Sequence, residues 1–246
     1  MYRVVDHYGF DRETVTIAMS YFDRMLWKAV SNSSPPPCHE LLAVTCIYLA
    51  VKLFERMDRR SYLLRDLVLM SRRKFTKEEI VEMEAEILST LSWHVHPTTP
   101  QLFSFYFLRV MSRNAARSAA RNGASSTLAR SFDSSIRKVL EMANFIIELS
   151  SFESAVVQER PSAIAGAAIR LAMKELKLDA QIPTSVFCDH DTTSMNTSCC
   201  THSDCLLNMV CDILPSETTD LYTVEEKLSA FLQSHTTTLG DIQASL

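Results

Sequence analysis

Two charged residues stand where apolar ones are expected. Projected at about 100° per residue, Ile80, Met83, Ile87, Leu88 and Leu91 form one apolar arc, and Glu84 falls inside it while Glu78, Glu82 and Glu86 point elsewhere. A carboxylate in such an arc must be hydrogen-bonded, paired or neutralised, because burying it bare is strongly unfavourable. Lys52 poses the complementary problem: it is the one charged residue in 41–54, with Tyr48 and Leu49 one turn away. Two readings follow. Lys52 snorkels to water at a helix C-terminus or pairs internally with Glu84. Alternatively, the two make a shared polar spot in an apolar surface, suited to holding a partner's backbone carbonyls and amides by charge-assisted hydrogen bonds.

The remaining reactive side chains carry less. Cys188, His190, Cys199, Cys200, His202 and Cys205 crowd one polar segment, and thiolates with imidazoles can hold zinc. Their spacing fits no standard finger, so a solvated insertion is expected and no metal site. His94 and His96 flank Val95 beside a proline, which suits a helix-exit loop better than a ligand pair. Arg113, Arg117 and Arg121 recur every four residues and could form a basic stripe for phosphate, an acidic peptide or nuclear import, but a solvated loop is the simpler expectation. Ser34-Pro35 and Thr99-Pro100 have the minimal form of proline-directed phosphorylation sites, a pattern too common to carry weight alone. No Ser/His/Asp or Cys/His set can be argued from spacing, so neither catalytic residues nor cofactors are expected.

Composition narrows the classes further. The 246 residues carry 25 Lys+Arg against 29 Asp+Glu, a net charge of −4, which lacks the overall basic field of non-specific nucleic-acid binders. Four glycines form no GxGxxG or GxxxxGK pattern, which argues against nucleotide-binding enzymes. The start, MYRVVDHYGF, lacks the apolar core of an export signal, and the uncharged stretch 41–51 falls short of the roughly 20 residues of a spanning helix. An intracellular protein with seven reduced cysteines, in the nucleus and/or cytoplasm and away from membranes, is the expectation.

The elements that would position Lys52 and Glu84 are helices. Val15, Ala18, Met19, Phe22 and Leu26 share one face behind an Asp11 cap. SNSSPPP, residues 31–37, must turn the chain. From near His39 to Phe54 runs a helix apolar or small all round, the expected centre of a bundle. A short helix over 62–70 follows, then a capping box, Thr76-Lys77-Glu78-Glu79, opens a fifth helix to about Trp93. Residues 94–101, with Pro97 and Pro100, read as a linker. Beyond it come an apolar helix over 102–111, an acid-free insertion near 113–130, an amphipathic helix over 136–149, and a second small-residue helix over 161–176 opened by Pro161. A second insertion near 179–204 precedes helices over about 205–214 and 224–233. LAVKLFE and LAMKELK, one in each half, echo each other faintly. The expectation is an all-α protein of two tandem helical bundles, each around a small-residue helix: 1–96, 97–234 and a flexible tail 235–246.

TVTIAMSYFDRML (14–26), LLAVTCIYLAVKLFE (41–55) and FTKEEIVEMEAEILSTLSWHVHPTTPQLF (75–103) together resemble a cyclin box, in order and at family spacing. Tyr21, Phe22, Asp23 and Arg24 resemble the family's Tyr-hydrophobe-Asp-Arg element, and Leu49, Ala50, Val51 and Lys52 its Leu-Ala-x-Lys. The second half resembles a C-terminal cyclin fold more loosely, mainly through helix order and RPSAIAGAAIRLAMKEL. The resemblance implies two tandem cyclin folds and a regulatory subunit that binds and activates a cyclin-dependent kinase in cell-cycle control. Lys52 and Glu84 would then bond main-chain groups beside the kinase's C-helix. Leu49, Leu53, Leu88 and Val95 would lie on or near the apolar part of that contact, with core packing as the equal alternative for Leu49 and Leu88. Asp23 and Arg24 would tie helices together, with Tyr21 a further structural residue of the box. The implied partners are the kinase and its substrate or inhibitor proteins.

Three departures qualify this. The first helix begins abruptly at Met1, Tyr2, Val4, Val5 and Tyr8, as in a fragment, and the family's Met-Arg-Ala-Ile-Leu element has no counterpart. Glu40 stands where many cyclins carry glutamine, so docking of Arg-x-Leu substrates is not expected. Leu53-Phe54-Glu55 replaces the common aromatic-Glu-Glu, which leaves the kinase open. The rival class is a kinase-independent cyclin-fold adaptor for peptides or transcription partners.

Overall fold

The computed structural model describes residues 1–33, 35, 37–56, 62–121, 126–177 and 218–234, and the side chains of these except 115, 118–121, 126–133 and 218–220. Among the described residues every regular element is an α-helix. The chain divides into two compact units, Met1–Thr99 and Pro100–Leu246.

The first unit contains α1 (Tyr2–Tyr8), α2 (Glu13–Ser31), α3 (His39–Phe54), α4 (Leu63–Met70) and α5 (Lys77–Thr90). Gly9, at φ 63°, takes the left-handed turn that ends α1. The cap position of α2 is Arg12, one residue after the Asp11 its sequence implies, and Asp11 Oδ1 accepts from the Glu13 N–H at 2.9 Å in the turn leading into the helix. The proline run separates α2 from α3. α3 packs against α2, α4 and α5 and buries Leu42, Cys46, Leu49, Ala50 and Val51 completely. Its one buried hydroxyl, Thr45, is satisfied by donating to the Leu41 carbonyl at 2.9 Å. Burial pushes the Cys46 thiol up to about 12, with the Asp23 carboxylate adding to the shift.

α5 ends earlier than its sequence pattern suggests. Ser92 and Trp93 adopt positive φ (51° and 60°), so that the Trp93 N–H returns to the Leu88 carbonyl at 2.9 Å and closes the helix end. The Trp93 ring stays in solvent and gains nothing from a further helical turn.

The second unit contains α6 (Pro100–Arg121), α7 (Ser126–Ser150), α8 (Ser154–Val157), α9 (Pro161–Glu175) and α10 (Thr218–Ser234). α9 is its centre, packed against α6, α7 and α10, and every residue from 162 to 173 is buried. Alanines and Gly166 permit that close approach on all sides. Pro100 opens α6 instead of belonging to a linker, because a proline at the first helical position forfeits no intrahelical bond.

Within the expected insertion near 113–130 the backbone is helical to Arg121 and again from Ser126. Ala115, Ala116, Arg117, Ala119, Ala120 and Arg121 are strong helix formers, and that propensity outweighs the missing amphipathic stripe. The last helix is longer than expected, opening at Thr218. The insertion near 179–204, the helix expected over 205–214 and the tail 235–246 lie outside the described residues. No helix among the described residues is long and apolar enough to cross a membrane.

Candidate functional site

Lys52 occupies the last turn of α3, where the helix dipole favours a cation. The helix stops two residues later because Glu55 is extended (φ −94°, ψ 158°). The Glu55 carboxylate turns inward, its Oε1 accepting from the Asp11 N–H and the Thr14 hydroxyl, both at 2.8 Å, which ties the end of α3 to the start of α2. Glu84 is set by the register of α5, itself fixed by a complete capping box: Thr76 Oγ1 accepts from the Glu79 N–H at 3.2 Å, and Glu79 Oε2 from the Thr76 N–H at 2.7 Å. These two helices bring Lys52 Nζ within 2.7 Å of Glu84 Oε1.

The pair sits at a rim, neither sunk in the core nor free in solvent. The Lys52 side chain is 48% exposed and lies 5.6 Å from the Tyr48 ring centre, while the Glu84 side chain is 8% exposed. Among the described residues Lys52 is the sole hydrogen-bond or ionic partner of Glu84, so one carboxylate oxygen keeps its accepting capacity. The internal Lys52–Glu84 pairing of the first reading is present, with Lys52 half-exposed in front of a buried Glu84.

The frame around it is apolar. Leu53 and Phe54 are 41% and 40% exposed, and Val81, one turn before Glu84, is 47% exposed. Leu88, one turn after Glu84, is half-buried against the core. Leu49 and Val95 belong to the core itself, at 0% and 6% exposure, so their place is beneath the rim and not on it. Val81 escaped notice in the sequence because a lone valine among glutamates resembles an ordinary solvent position; its spacing of three from Glu84 was the available signal.

Of the structural cyclin-box residues, Tyr21 and Arg24 reach from α2 to the segment leaving α5. The Tyr21 hydroxyl donates to the buried Val95 carbonyl, and Arg24 Nη1 donates to the His94 carbonyl at 2.7 Å. Together they fasten the segment leaving α5 onto α2. Asp23 is exposed and makes no such tie among the described residues, and burial of its surroundings raises its carboxyl above the usual range. His94 and His96 lie in an exit loop, as their setting implies, with the His96 ring 5.2 Å from that of Phe54. Thr99 is buried and donates to Glu13, which makes it inaccessible as a phosphorylation site in this fold; Ser34 lies outside the described residues.

Arg113 and Arg117 are exposed on α6, a helix face and not a loop, while the Arg121 side chain is not among those described. No cluster of three or more His, Cys, Asp or Glu suited to a metal occurs among the described residues. The Cys/His-rich segment 188–205 lies outside them.

The second unit repeats the arrangement. Lys174, the counterpart of Lys52 in the LAVK/LAMK echo, bonds Glu225 of α10 at 2.5 Å, with side-chain exposures of 47% and 8%. Here Arg170 Nε also meets Glu225 Oε2 at 2.7 Å, at 7% exposure, with its guanidinium 5.0 Å from the Tyr222 ring centre. Tyr48 stands one turn before Lys52 where Arg170 stands one turn before Lys174, so the second pair is closed and the first is open.

Comparison with known proteins agrees with this repeated architecture. The profile of the cyclin N-terminal domain matches residues 1–96, and that of the cyclin C-terminal domain matches residues 100–238. Cyclin-D3-3 of Arabidopsis thaliana is 36% identical over 109 residues, 44% of this chain and 30% of that protein. Cyclin-G1 of Rattus norvegicus is 34% identical over 103 residues, 42% of this chain and 32% of that protein. Cyclin-B2-1 of Oryza sativa subsp. japonica is 32% identical over 168 residues, 68% of this chain and 33% of that protein. The matched stretches thus span about a third of these relatives. With both domain profiles matched in order along two helical units, the chain belongs to the cyclin family, whose members are regulatory rather than catalytic proteins.

Proposed function

We propose that this chain is a regulatory subunit that binds and activates a cyclin-dependent Ser/Thr kinase, acting in cell-cycle control in the nucleus and/or cytoplasm. The observation that carries the reading is the Lys52–Glu84 pair, held at 2.7 Å with Lys52 half-exposed and Glu84 buried behind it, and framed by Leu53, Val81 and Leu88. Such a spot offers ammonium protons to backbone carbonyls and a carboxylate oxygen to backbone amides, inside an apolar surround that excludes water. A kinase helix docked there would be held in its active position. Activation then follows from tighter binding to the active conformer, while all the chemistry remains the kinase's own. Leu49, Val95, Tyr21 and Arg24 support the rim from behind.

The test is co-purification of the chain with a panel of cyclin-dependent kinases, followed by phosphorylation of a histone-type substrate. Lys52→Ala, Glu84→Ala and the double variant are compared with wild type, with circular dichroism to verify folding. Loss of binding and of kinase activity in folded Lys52→Ala is the expected result. Wild-type binding by the folded double variant overturns the site assignment. Absence of kinase binding both by this chain and by a version extended at its N-terminus favours the adaptor class.

A further inference from the structure

The end of α3 carries a feature that the Lys52–Glu84 pair does not explain. Lys52, Leu53 and Phe54 are consecutive exposed residues that sweep around the last turn, and the Phe54 ring is not loose: it lies against His96, ring centres 5.2 Å apart at 55°. Scattered exposed apolar residues are ordinary, but a ring held by a second exposed ring is set in place before any partner arrives. Such pre-set aromatic groups lose little freedom on binding and serve as anchors.

Of the described charged residues next to Phe54 in sequence, the cations face outward and the carboxylate does not. Lys52 and Arg56 are exposed cations, whereas the Glu55 carboxylate between them is turned inward to the Asp11 N–H and Thr14 hydroxyl. The Glu84 carboxylate is buried against Lys52. A surface that brings an apolar side chain to Phe54 and His96, with acceptor oxygens for Lys52 and Arg56 beside it, fits this end of α3.

We propose that Phe54, seated on His96, is a specificity-determining anchor of the partner interface, selecting a kinase whose facing surface is apolar and acceptor-rich. This rests on the kinase-binding reading above. Lys52 and Glu84 address backbone groups that every kinase of the class possesses, so they give affinity without discrimination. Phe54 addresses a side chain, which differs between kinases.

The experiment measures dissociation constants for the full chain against the same kinase panel, using wild type, Lys52→Ala, Phe54→Leu and Phe54→Glu, each verified by circular dichroism. Lys52→Ala weakens all bound kinases by a similar factor. Phe54→Glu weakens the preferred kinase by at least about tenfold, the scale of a hot-spot aromatic, and reorders the panel toward kinases with basic facing surfaces. Phe54→Leu keeps the wild-type order. The proposal is overturned if Phe54→Glu leaves affinity within about twofold and the order unchanged while Lys52→Ala abolishes binding; the kinase-binding site then stands without the anchor. Indifference to Lys52→Ala, or no kinase bound by wild type and by an N-terminally extended version, overturns both.

Discussion

The two units contain a matched experiment. Lys52 and Lys174 sit at equivalent places on their central helices, equally exposed, each bonded to a glutamate that is 8% exposed. They differ in what remains after removal. Lys174→Ala leaves Glu225 with Arg170 at 2.7 Å, whereas Lys52→Ala leaves Glu84 with no cation among the described residues. At the 2.7 Å separation of Lys52 and Glu84, the gross attraction is ~6 kcal/mol for an effective dielectric constant of ~20 and ~1.5 kcal/mol in bulk water. The half-exposed lysine and the water that replaces it place the net effect toward the lower end. A loss of about 2 kcal/mol is expected for Lys52→Ala, and about 0.5 kcal/mol for Lys174→Ala, where the buried pair survives. Amide hydrogen exchange read by mass spectrometry resolves the units separately. Exchange in α5 should accelerate about 30-fold in Lys52→Ala, and exchange in α10 by no more than about threefold in Lys174→Ala, at 1.4 kcal/mol per decade. Equal acceleration in the two variants would refute the reasoning, because it would mean that Arg170 does nothing for Glu225.

Two further outcomes follow from the first unit. Tyr21→Phe leaves the Val95 carbonyl buried without its donor, and should destabilise the unit by about 1–3 kcal/mol without changing the slope of its urea transition. The Tyr8 hydroxyl, 2.6 Å from Asp66, holds that carboxyl below the usual range, while burial and the same bond raise the tyrosine to about 12. The Asp66 contribution is therefore complete above the ordinary carboxyl value of about 4 and disappears as pH falls through the depressed value. The Tyr8 contribution is complete below about 10 and disappears as pH rises through about 12. Tyr8→Phe should thus flatten both flanks of the stability–pH curve measured by urea unfolding, and an unchanged acid flank would refute the tie.

Lys52 and Glu84 were legible in the sequence because each violates a periodic pattern: one is a single cation in an apolar helix, the other a carboxylate in an apolar arc. Arg170 violates its helix in the same way, standing among alanines and isoleucines between Pro161 and Lys174, and the same rule would have identified it. Its partner Glu225 was hidden, since the pattern of a single helix does not reveal which helix will pack against it. Burial depth at helix ends was equally hidden. Leu49 and Leu53 lie four residues apart on nearly one face, yet one is fully buried and the other 41% exposed, because α3 runs out of the bundle between them. The turn of Ser92 and Trp93 into positive φ carries no sequence signature of the glycine kind. Helical backbone on both sides of residues 122–125 followed from alanine and arginine propensity, which reading by hydrophobic stripe alone discounts.

Cys46 turns the core of the first unit into a clock. Its thiol is fully buried at the middle of α3 and pushed up to about 12, so at neutral pH the native state presents essentially no thiolate to an alkylating reagent. Cys38, at the start of the same helix, is exposed. The two cysteines are therefore an internal pair of stopwatch and reference. Cys38 reports reagent chemistry alone, and the ratio of Cys46 to Cys38 labelling counts how often α3 leaves its seat between α2 and α5. A partner that grips the end of α3 must slow that count without touching either sulfur.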